Sequence, residues 1–169
     1  MTPVNASGSL LWLGLIPLLP LVAACLAALT NRGTNAVLVA TAAMGGAMVV
    51  AFRAFSISWH AAMPAYDNFT WIEVGGLSID FGFILDPLTG AMLAMITLVG
   101  FLIFIYAGRY MRDDPRVARF FCYLSLFAAA MLGLVLSNSL LLTFMCWEIV
   151  GLASYLLISF WFHKPSAAA

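Results

Sequence analysis

The sequence predicts an all-α, polytopic membrane protein with about five transmembrane helices and one small β-hairpin. Hydrophobic residues make up 64% of the 169-residue chain and charged residues only 8%, whereas soluble domains average roughly 45–50% and about 25%. This chain has too few polar side chains to cover a water-soluble globule. It also contains apolar runs of the length, about 20 residues, that a helix needs to cross the hydrocarbon core of a bilayer. We therefore expect residues 1–169 to form a single membrane domain whose main solvent is lipid.

The first three spans follow from apolar runs and their interruptions. Residues 10–29 contain no charge, and residues 36–55 form the next apolar run after a polar Asn-Arg-Gly sequence. The third span is predicted at 87–107 and begins at Asp86-Pro87. Asp is a favoured N-cap residue and Pro suits the first helical position, so this dipeptide indicates the start of a helix.

The last apolar tract is too long to be one span. Residues 120–162 would form a helix of 43 residues, about 65 Å long at about 1.5 Å per residue and twice what a bilayer needs. Ser137-Asn138-Ser139 is the polar cluster inside the tract, and these residue types favour turns. The tract is therefore predicted to turn there and to form two spans, at 118–136 and 140–162.

A polar segment at 56–85 separates the second and third spans. Within it, two runs typical of strands, 69–74 and 77–81, flank Gly75-Gly76, the composition of a two-residue hairpin turn. We predict an amphipathic β-hairpin near 69–83 that lies on the outer membrane surface. Strict alternation places Thr70, Ile72, Val74, Leu77, Ile79 and Phe81 on one face and Trp71, Glu73, Ser78 and Asp80 on the other.

The orientation of the chain is predicted from its basic residues. With the N-terminus outside, six basic residues fall on the inner side and one, Arg53, on the outer side. Inner segments of membrane proteins are enriched in Lys and Arg, so the predicted orientation is N-terminus out and C-terminus in. The inner residues are Arg32, Arg109, Arg112, Arg116, Arg119 and Lys164.

Glu148 is the main candidate for chemistry. It follows the predicted turn by about eight residues, which places it about 12 Å into a core about 30 Å thick. A charge at that depth costs about 2.5–3.5 kcal/mol on insertion scales, and intramembrane carboxylates commonly belong to proton or ion relays. The alternative is a protonated glutamic acid that hydrogen-bonds a neighbouring helix and has only a structural role.

The other candidate residues have simpler interpretations. Arg109, Arg112, Arg116 and Arg119 flank Asp113-Asp114-Pro115, either as a topology anchor with partial internal pairing or as a docking surface for a soluble partner or anionic lipid. Asp86 is interpreted as a helix cap, with an ion-pair partner at a subunit boundary as the alternative. The sequence has no glycine-rich nucleotide loop, cysteine cluster or metal-ligand spacing. A net charge of zero gives no reason to expect binding to nucleic acid.

Several motifs together resemble one family of respiratory proteins. The sequence contains Leu-Asp-Pro-Leu-Thr at 85–89, Tyr-Met-Arg-Asp-Asp-Pro at 110–115 and Arg-Phe-Phe-Cys-Tyr-Leu at 119–124. The most specific motif is Trp-Glu-Ile-Val-Gly-Leu-Ala-Ser-Tyr-Leu-Leu-Ile at 147–158, followed by Phe-Trp-Phe-His-Lys-Pro-Ser-Ala-Ala at 160–168. From about residue 10 onward the chain resembles the N-terminal part of subunit L of bacterial complex I, the counterpart of mitochondrial subunit 5.

The resemblance implies a function and a setting. Members of this family are antiporter-like subunits of the membrane arm of NADH:quinone oxidoreductase, and they carry protons. In the family the Glu of the Trp-Glu motif, here Glu148, pairs with a Lys on a later helix. The implied partners are the remaining helices of the subunit, other membrane-arm subunits and the lipid bilayer. The implied location is the bacterial inner membrane. NADH, FMN, iron–sulfur clusters and quinone are expected on other subunits and no cofactor on this chain.

This sequence departs from the family pattern in one important respect. The family fold contains two inverted repeats of five helices, whereas this chain includes only the helix with Glu148 and those before it. We therefore expect a fragment, or a chain completed by a second polypeptide, that does not pump protons alone. Two other hypotheses stay open: a subunit of a cation/proton antiporter or inorganic-carbon uptake system of the same fold, and an assembly remnant without transport activity.

Overall fold

The computed structural model describes residues 10–30, 32–61 and 63–161, and these ranges contain five long helices. All five are long and apolar enough to cross a membrane, which confirms the predicted number of spans. Lys164, which contributes to the orientation prediction, lies outside the described residues. The helices are α1 (Leu15–Leu29, continuing a 3-10 turn at Leu10–Gly14), α2 (Gly33–Trp59), α3 (Pro87–Tyr110), α4 (Val117–Leu136) and α5 (Leu140–Ile158, followed by a 3-10 turn at Ser159–Trp161).

Helix α2 is longer than the sequence predicted, because it continues past residue 55 to Trp59. The prediction had assigned Ser56 onward to the polar segment. Ser58 is nevertheless fully buried, and its hydroxyl donates a 3.0 Å hydrogen bond to the carbonyl of Phe55. A serine that satisfies its hydroxyl within its own helix can be buried at little cost, and the polar composition therefore misplaced the end of α2.

Small residues bring the first four helices close together. Helix α1 packs against α2 and α4, and α2 packs against α3. Because lipid tails are as apolar as leucine, helices in a membrane associate through close packing, which small side chains allow. The buried side of α2 shows this pattern at helical spacing, with Ala36, Ala40, Met44, Ala47, Ala51, Ala54 and Ser58.

The predicted hairpin is confirmed and is longer than predicted. Strands β1 (Ala65–Val74) and β2 (Leu77–Leu85) pair in antiparallel fashion. Gly75 and Gly76 connect them with φ angles of 60° and 85°. A type I′ turn requires positive φ at both central residues, a conformation that residues other than Gly, Asn and Asp adopt poorly.

The prediction of which residues share a face of the hairpin was wrong at Thr70 and Trp71. The register shifts between Thr70 and Ile72, so Thr70 pairs with Asp80 and Trp71 is the extra residue of a bulge. The Thr70 hydroxyl donates a 2.8 Å hydrogen bond to Asp80, and the Trp71 ring stacks on Phe81 at 4.9 Å between centroids. One inserted residue exchanges the faces beyond it, and simple alternation gives no sign of the insertion.

The bundle has two chemically different ends. A Cβ atom added at Gly33 would meet Val117, so α2 and α4 begin at the same end. That end, here called the arginine end, carries Arg32, Arg109, Arg112, Arg116 and Arg119. The hairpin and Arg53 lie toward the opposite end, here called the hairpin end. The described residues thus show the predicted segregation of charge, while the side of the membrane that each end faces stays a prediction.

Candidate functional site

Glu148 lies on the side of α5 that faces away from the rest of the described chain. Helix α5 packs mainly against α4, where a Cβ atom added at Gly133 would lie 3.1 Å from the Cys146 sulfur. The buried Ala153 lies further along α5. Glu148 is exposed and lies two residues from Cys146, or about 200° around a helix of 3.6 residues per turn. Its carboxyl group therefore points away from α4.

The uncovered side of α5 is extensive. Only 6% of the apolar window of the Leu140–Trp161 span is buried in this chain, against 28–39% for the other four spans. We call the uncovered side the free face of α5. It is formed by Phe144, Glu148, Gly151, Leu152 and Tyr155, all of which are exposed.

The hairpin fixes the beginning of α5. Ser139 caps the helix by accepting a 3.2 Å hydrogen bond from the backbone N–H of Leu142. The backbone N–H of Asn138 donates to the carbonyl of Gly82 at 2.9 Å. The Asn138 side-chain amide donates to the side-chain oxygen of Asn68 at 2.8 Å. The predicted Ser-Asn-Ser turn is thus confirmed, and both strands of the hairpin hold it in place.

Aromatic and charged side chains at the arginine end hold the residues that follow α5. The Trp161 indole N–H donates a 3.2 Å hydrogen bond to Asp114. The guanidinium carbon of Arg116 lies 5.0 Å from the centroid of the Phe160 ring, within the range of a cation–π contact. Arg116 also forms a 3.9 Å ion pair with Asp114. Helix α5 is therefore attached to the bundle at both ends.

Between these attachments, Glu148 has no partner within the described part of the chain. It takes part in no hydrogen bond or ion pair there. It lies eight residues from the start of α5, or about 12 Å along the helix axis. The structural alternative, a hydrogen bond from Glu148 to a neighbouring helix, is therefore not formed with any described helix. The geometry presents an exposed acidic group near the middle of an apolar helix.

Asp86 is the N-cap of α3, as predicted. Its side chain accepts a 2.6 Å hydrogen bond from the backbone N–H of Thr89. This bond is the main reason that the pKa of the Asp86 carboxyl is lowered from its ordinary value, because it stabilises the ionised form. Asp86 lies at the hairpin end and stabilises the start of α3.

The predicted arginine candidates divide into two groups. Arg116 is engaged by Asp114 and Phe160, which is the partial internal pairing expected of a topology anchor. Arg109, Arg112 and Arg119 are exposed, and none forms an ion pair with a described carboxylate. The fold therefore separates the predicted residues: Asp86 at one end, the arginines at the other and Glu148 between them. Within the described ranges, no group of three His, Cys, Asp or Glu side chains could hold a metal ion.

The contacts that attach α5 were not predicted. Trp161 and Asp114 are 47 residues apart, and Asn138 and Asn68 are 70 residues apart. Neither pair has a local pattern, since each depends on how distant segments meet in the folded chain. In the sequence, tryptophan and asparagine indicate only a preference for the membrane interface or for a turn.

Comparisons with known proteins agree with this architecture. A family model described as the N-terminus of chain 5 of NADH-ubiquinone oxidoreductase (complex I) matches residues 71–121. The chain is 40% identical over 163 residues to subunit 5 of the chloroplastic NAD(P)H-quinone oxidoreductase of Zygnema circumcarinatum. It is 55% identical over 100 residues to subunit L of the NADH-quinone oxidoreductase of Mycobacterium tuberculosis. The resemblance to subunit L/5 is confirmed.

The same comparisons define how much of the subunit this chain spans. The Zygnema match covers 91% of this chain and 23% of the relative, and the Mycobacterium match covers 59% and 16%. The chain thus spans less than a quarter of its subunit L/5 relatives. A chain of the archaeal membrane-bound sulfane sulfur reductase, a respiratory membrane complex, superposes with a TM-score of 0.68 at 18% identity. The matched region covers 87% of this chain and 23% of the reductase chain. This similarity concerns the fold alone.

Proposed function

We propose that this chain supplies a proton-carrying helix, α5 with Glu148, to the membrane arm of an NADH:quinone oxidoreductase. The observation that carries the proposal is the position of Glu148. It lies about 12 Å from the start of α5 along the helix axis, on the free face, and no described residue pairs with it. The names of the relatives, which are subunits of quinone oxidoreductases, support the choice of complex.

The chemistry follows from the cost of charge in lipid. An ionised carboxylate at the centre of a helix costs about 2.5–3.5 kcal/mol to insert, so such groups face a bundle interior or water and pair with other groups. A cation that approaches a carboxyl group favours its ionised form, and a cation that leaves favours proton uptake. Glu148 would exchange a proton in this way with a lysine on another helix, the partner that the resemblance implies.

The rest of the assembly is expected on other polypeptides or on further helices. The proposed partners are the remaining helices of an L/5-type subunit and neighbouring membrane-arm subunits. NADH, FMN, iron–sulfur clusters and quinone would bind elsewhere, so this chain would contribute to a translocase without performing redox chemistry. We place it in the bacterial inner membrane as a multi-pass protein with its arginine end toward the cytoplasm, where positively charged residues are enriched.

The test is Glu148→Gln in a complete complex that contains this sequence as part of its L/5-type subunit. Glutamine keeps the size of the side chain but cannot release a proton at neutral pH. We expect proton pumping per NADH oxidised to fall severalfold, while NADH oxidation continues in part because redox chemistry lies elsewhere. The matched control is Glu73→Gln, which changes the same residue type at an exposed position of the hairpin and should leave pumping unchanged.

Two outcomes would overturn the proposal. Unchanged pumping in Glu148→Gln would remove this carboxyl group from the proton pathway. Proton transport that depends on Glu148 but needs no NADH oxidation would favour the cation/proton antiporter hypothesis, in which the same residue operates without an electron donor.

A further inference from the structure

A cleft lies between the beginning of α1, with the 3-10 turn that precedes it, and the last turns of α2. It has a volume of about 350 Å³ and is lined by Trp12, Leu15, Val50, Arg53 and Ile57. Arg53 is the charged member of this set, and the others are aromatic or aliphatic. Leu15, Arg53 and Ile57 are exposed, so the cleft opens away from the helix bundle, near its hairpin end.

Arg53 lies further inside a helix than the other described arginines. It is six residues before Trp59, the last residue of α2. Arg109 and Arg119 lie within the last and the first turn of their helices, and the remaining described arginines lie outside the helix bounds. Charged groups inside a span are costly, so they pair with an opposite charge or extend to the interface. The position of Arg53 therefore indicates an anionic group nearby.

The described part of the chain does not supply that anionic group. Arg53 forms no ion pair with a described carboxylate. The Trp12 indole N–H also donates to no acceptor among the described residues. One charged and one neutral hydrogen-bond donor thus line the same apolar cleft without acceptors. Arg53 also departs from the concentration of basic residues at the arginine end, so a role in orienting the chain does not explain it.

The length of α2 places Arg53 close to the level of lipid headgroups. With 27 residues, α2 is about 40 Å long, about 10 Å more than the hydrocarbon core of a bilayer. If the two ends share this excess, the last three or four residues lie outside the core, and Arg53 lies about 4 Å inside its boundary. A long arginine side chain can extend from that depth to the interface, where tryptophan side chains are also enriched.

We propose that this cleft binds a membrane phospholipid, with the phosphate group at Arg53 and Trp12 and one acyl chain along the apolar side chains of the cleft. A phosphate group carries the missing negative charge, and its oxygens accept hydrogen bonds from a guanidinium group in paired geometry. A protein helix fits less well, because one turn with its side chains, about 10 Å wide and 5.4 Å long, occupies roughly 400 Å³. The cleft matches an extended chain better.

Photolabelling of the purified chain tests the role of Arg53. The probe is phosphatidylglycerol with a photoreactive group near the start of one acyl chain, added in a neutral detergent that contains no phosphate. Labelled peptides are identified by mass spectrometry. We expect labelling of the cleft residues to fall at least fivefold in Arg53→Gln, and less than twofold in Arg53→Lys, which keeps the positive charge. The matched control is Arg109→Gln, which removes an exposed arginine at the other end and should leave this labelling unchanged.

A second probe tests the need for the phosphate group. Diacylglycerol with the same photoreactive acyl chain should label the cleft residues at least fivefold less than phosphatidylglycerol does. Equal labelling by the two lipids would overturn the proposal, because the cleft would then bind acyl chains alone. Equal losses in Arg53→Gln and Arg109→Gln would overturn it as well, since they would show attraction to net charge without a site. Helical circular dichroism of each variant verifies that the chain is folded.

Cross-linking in the complete complex decides between lipid and protein as the occupant. Ile57 is replaced there by a photoreactive phenylalanine analogue. A cross-link to phospholipid supports the proposal. A cross-link to a peptide from another helix, in place of lipid, overturns it, because a neighbouring helix would then cover the cleft. These readouts do not involve proton pumping, so the result for Glu148→Gln does not affect them.

Discussion

Helices α2 and α5 have almost the same apolar character and opposite surroundings. Their most apolar windows have mean hydropathies of 1.8 and 1.9. Yet 28% of the α2 window is buried within this chain, against 6% for α5. Helix α2 is packed along its length by α1 and α3, whereas α5 packs mainly against α4, along one side, and has further attachments at its two ends.

The difference shows what hydropathy does and does not specify. A mean hydropathy near 1.9 is typical of a membrane-spanning helix. It does not distinguish a helix that is packed on several sides by its own chain from one that is packed on one side only. The residues that do distinguish them are the polar and the small ones. On α2 these residues, such as Ser58 and Gly45, contact neighbouring helices. On the free face of α5, Glu148 and Gly151 contact no other described helix.

The largest loss of stability is expected on substitution of Gly90, where α3 contacts α2. A Cβ atom added there would meet the Ser58 hydroxyl and would lie 3.1 Å from the Phe55 Cα. Because backbone cannot move aside as a flexible side chain can, Gly90→Leu should destabilise this chain by about 1–3 kcal/mol or more. Unfolding of the purified chain in mixed micelles, followed by helical circular dichroism, measures the change.

The control for Gly90→Leu is Gly151→Leu in the same chain. Apart from the backbone of α5 itself, no described atom would lie within 4 Å of a Cβ at Gly151, so this variant should lose little stability. Equal losses in the two variants would mean that the free face of α5 is covered within this chain, and the comparison would fail.

Most of the fold could be predicted because few structures satisfy an apolar chain in lipid. Backbone groups in a bilayer must bond internally, so runs of about 20 apolar residues become helices and a polar Ser-Asn-Ser cluster becomes a turn. The glycine pair at 75–76 specified the hairpin turn for the same kind of local reason. The bulge at Trp71 and the buried Ser58 were missed because each depends on contacts or register that alternation and polarity do not encode.

A smaller effect is expected at Asp86, which begins α3 beside the hairpin. Asp86→Ala removes the acceptor for the Thr89 N–H and should cost about 1 kcal/mol, the usual value of a helix cap. Asp86→Asn should retain most of the cap, because asparagine is an equally favoured N-cap residue. The unfolding measurement described for Gly90 applies here as well.

The Asp86 variants also predict a pH dependence. The folded-state pKa of Asp86 is lowered, while in the unfolded chain it lies near the ordinary value of about 3.9. The stabilisation is therefore present above about pH 4 and is lost as pH falls through the lowered folded-state pKa. The stability difference between the natural chain and Asp86→Asn should change across this window. A difference that stays constant from pH 7 to pH 2 would contradict the assignment.

The candidate site could be predicted only in part, and for a physical reason. Glu148 was identifiable because a carboxylate in an apolar run is costly wherever the helix points. Its exposure on the free face could not be predicted, since the apolar residues of α5 surround the helix and mark no preferred side. The attachments of α5 through Trp161 and Asn138 depend on long-range packing.

The smallest effect concerns the attachment of α5 to the hairpin. Asn138→Ala removes the 2.8 Å hydrogen bond to Asn68 and leaves the backbone bond to Gly82. Because this side-chain bond is exposed to solvent, its loss should cost about 0.5 kcal/mol, the low end of the usual range. Asn68→Ala should cost a similar amount, and the double variant should cost no more than either single one, because all three remove the same interaction. Asn35→Ala, at an exposed position near the start of α2, is the control for the loss of an amide side chain. If the losses of stability in the two single variants add up in the double variant, Asn68 and Asn138 act independently. The backbone bond from Asn138 to Gly82 would then be the contact that attaches α5 to the hairpin.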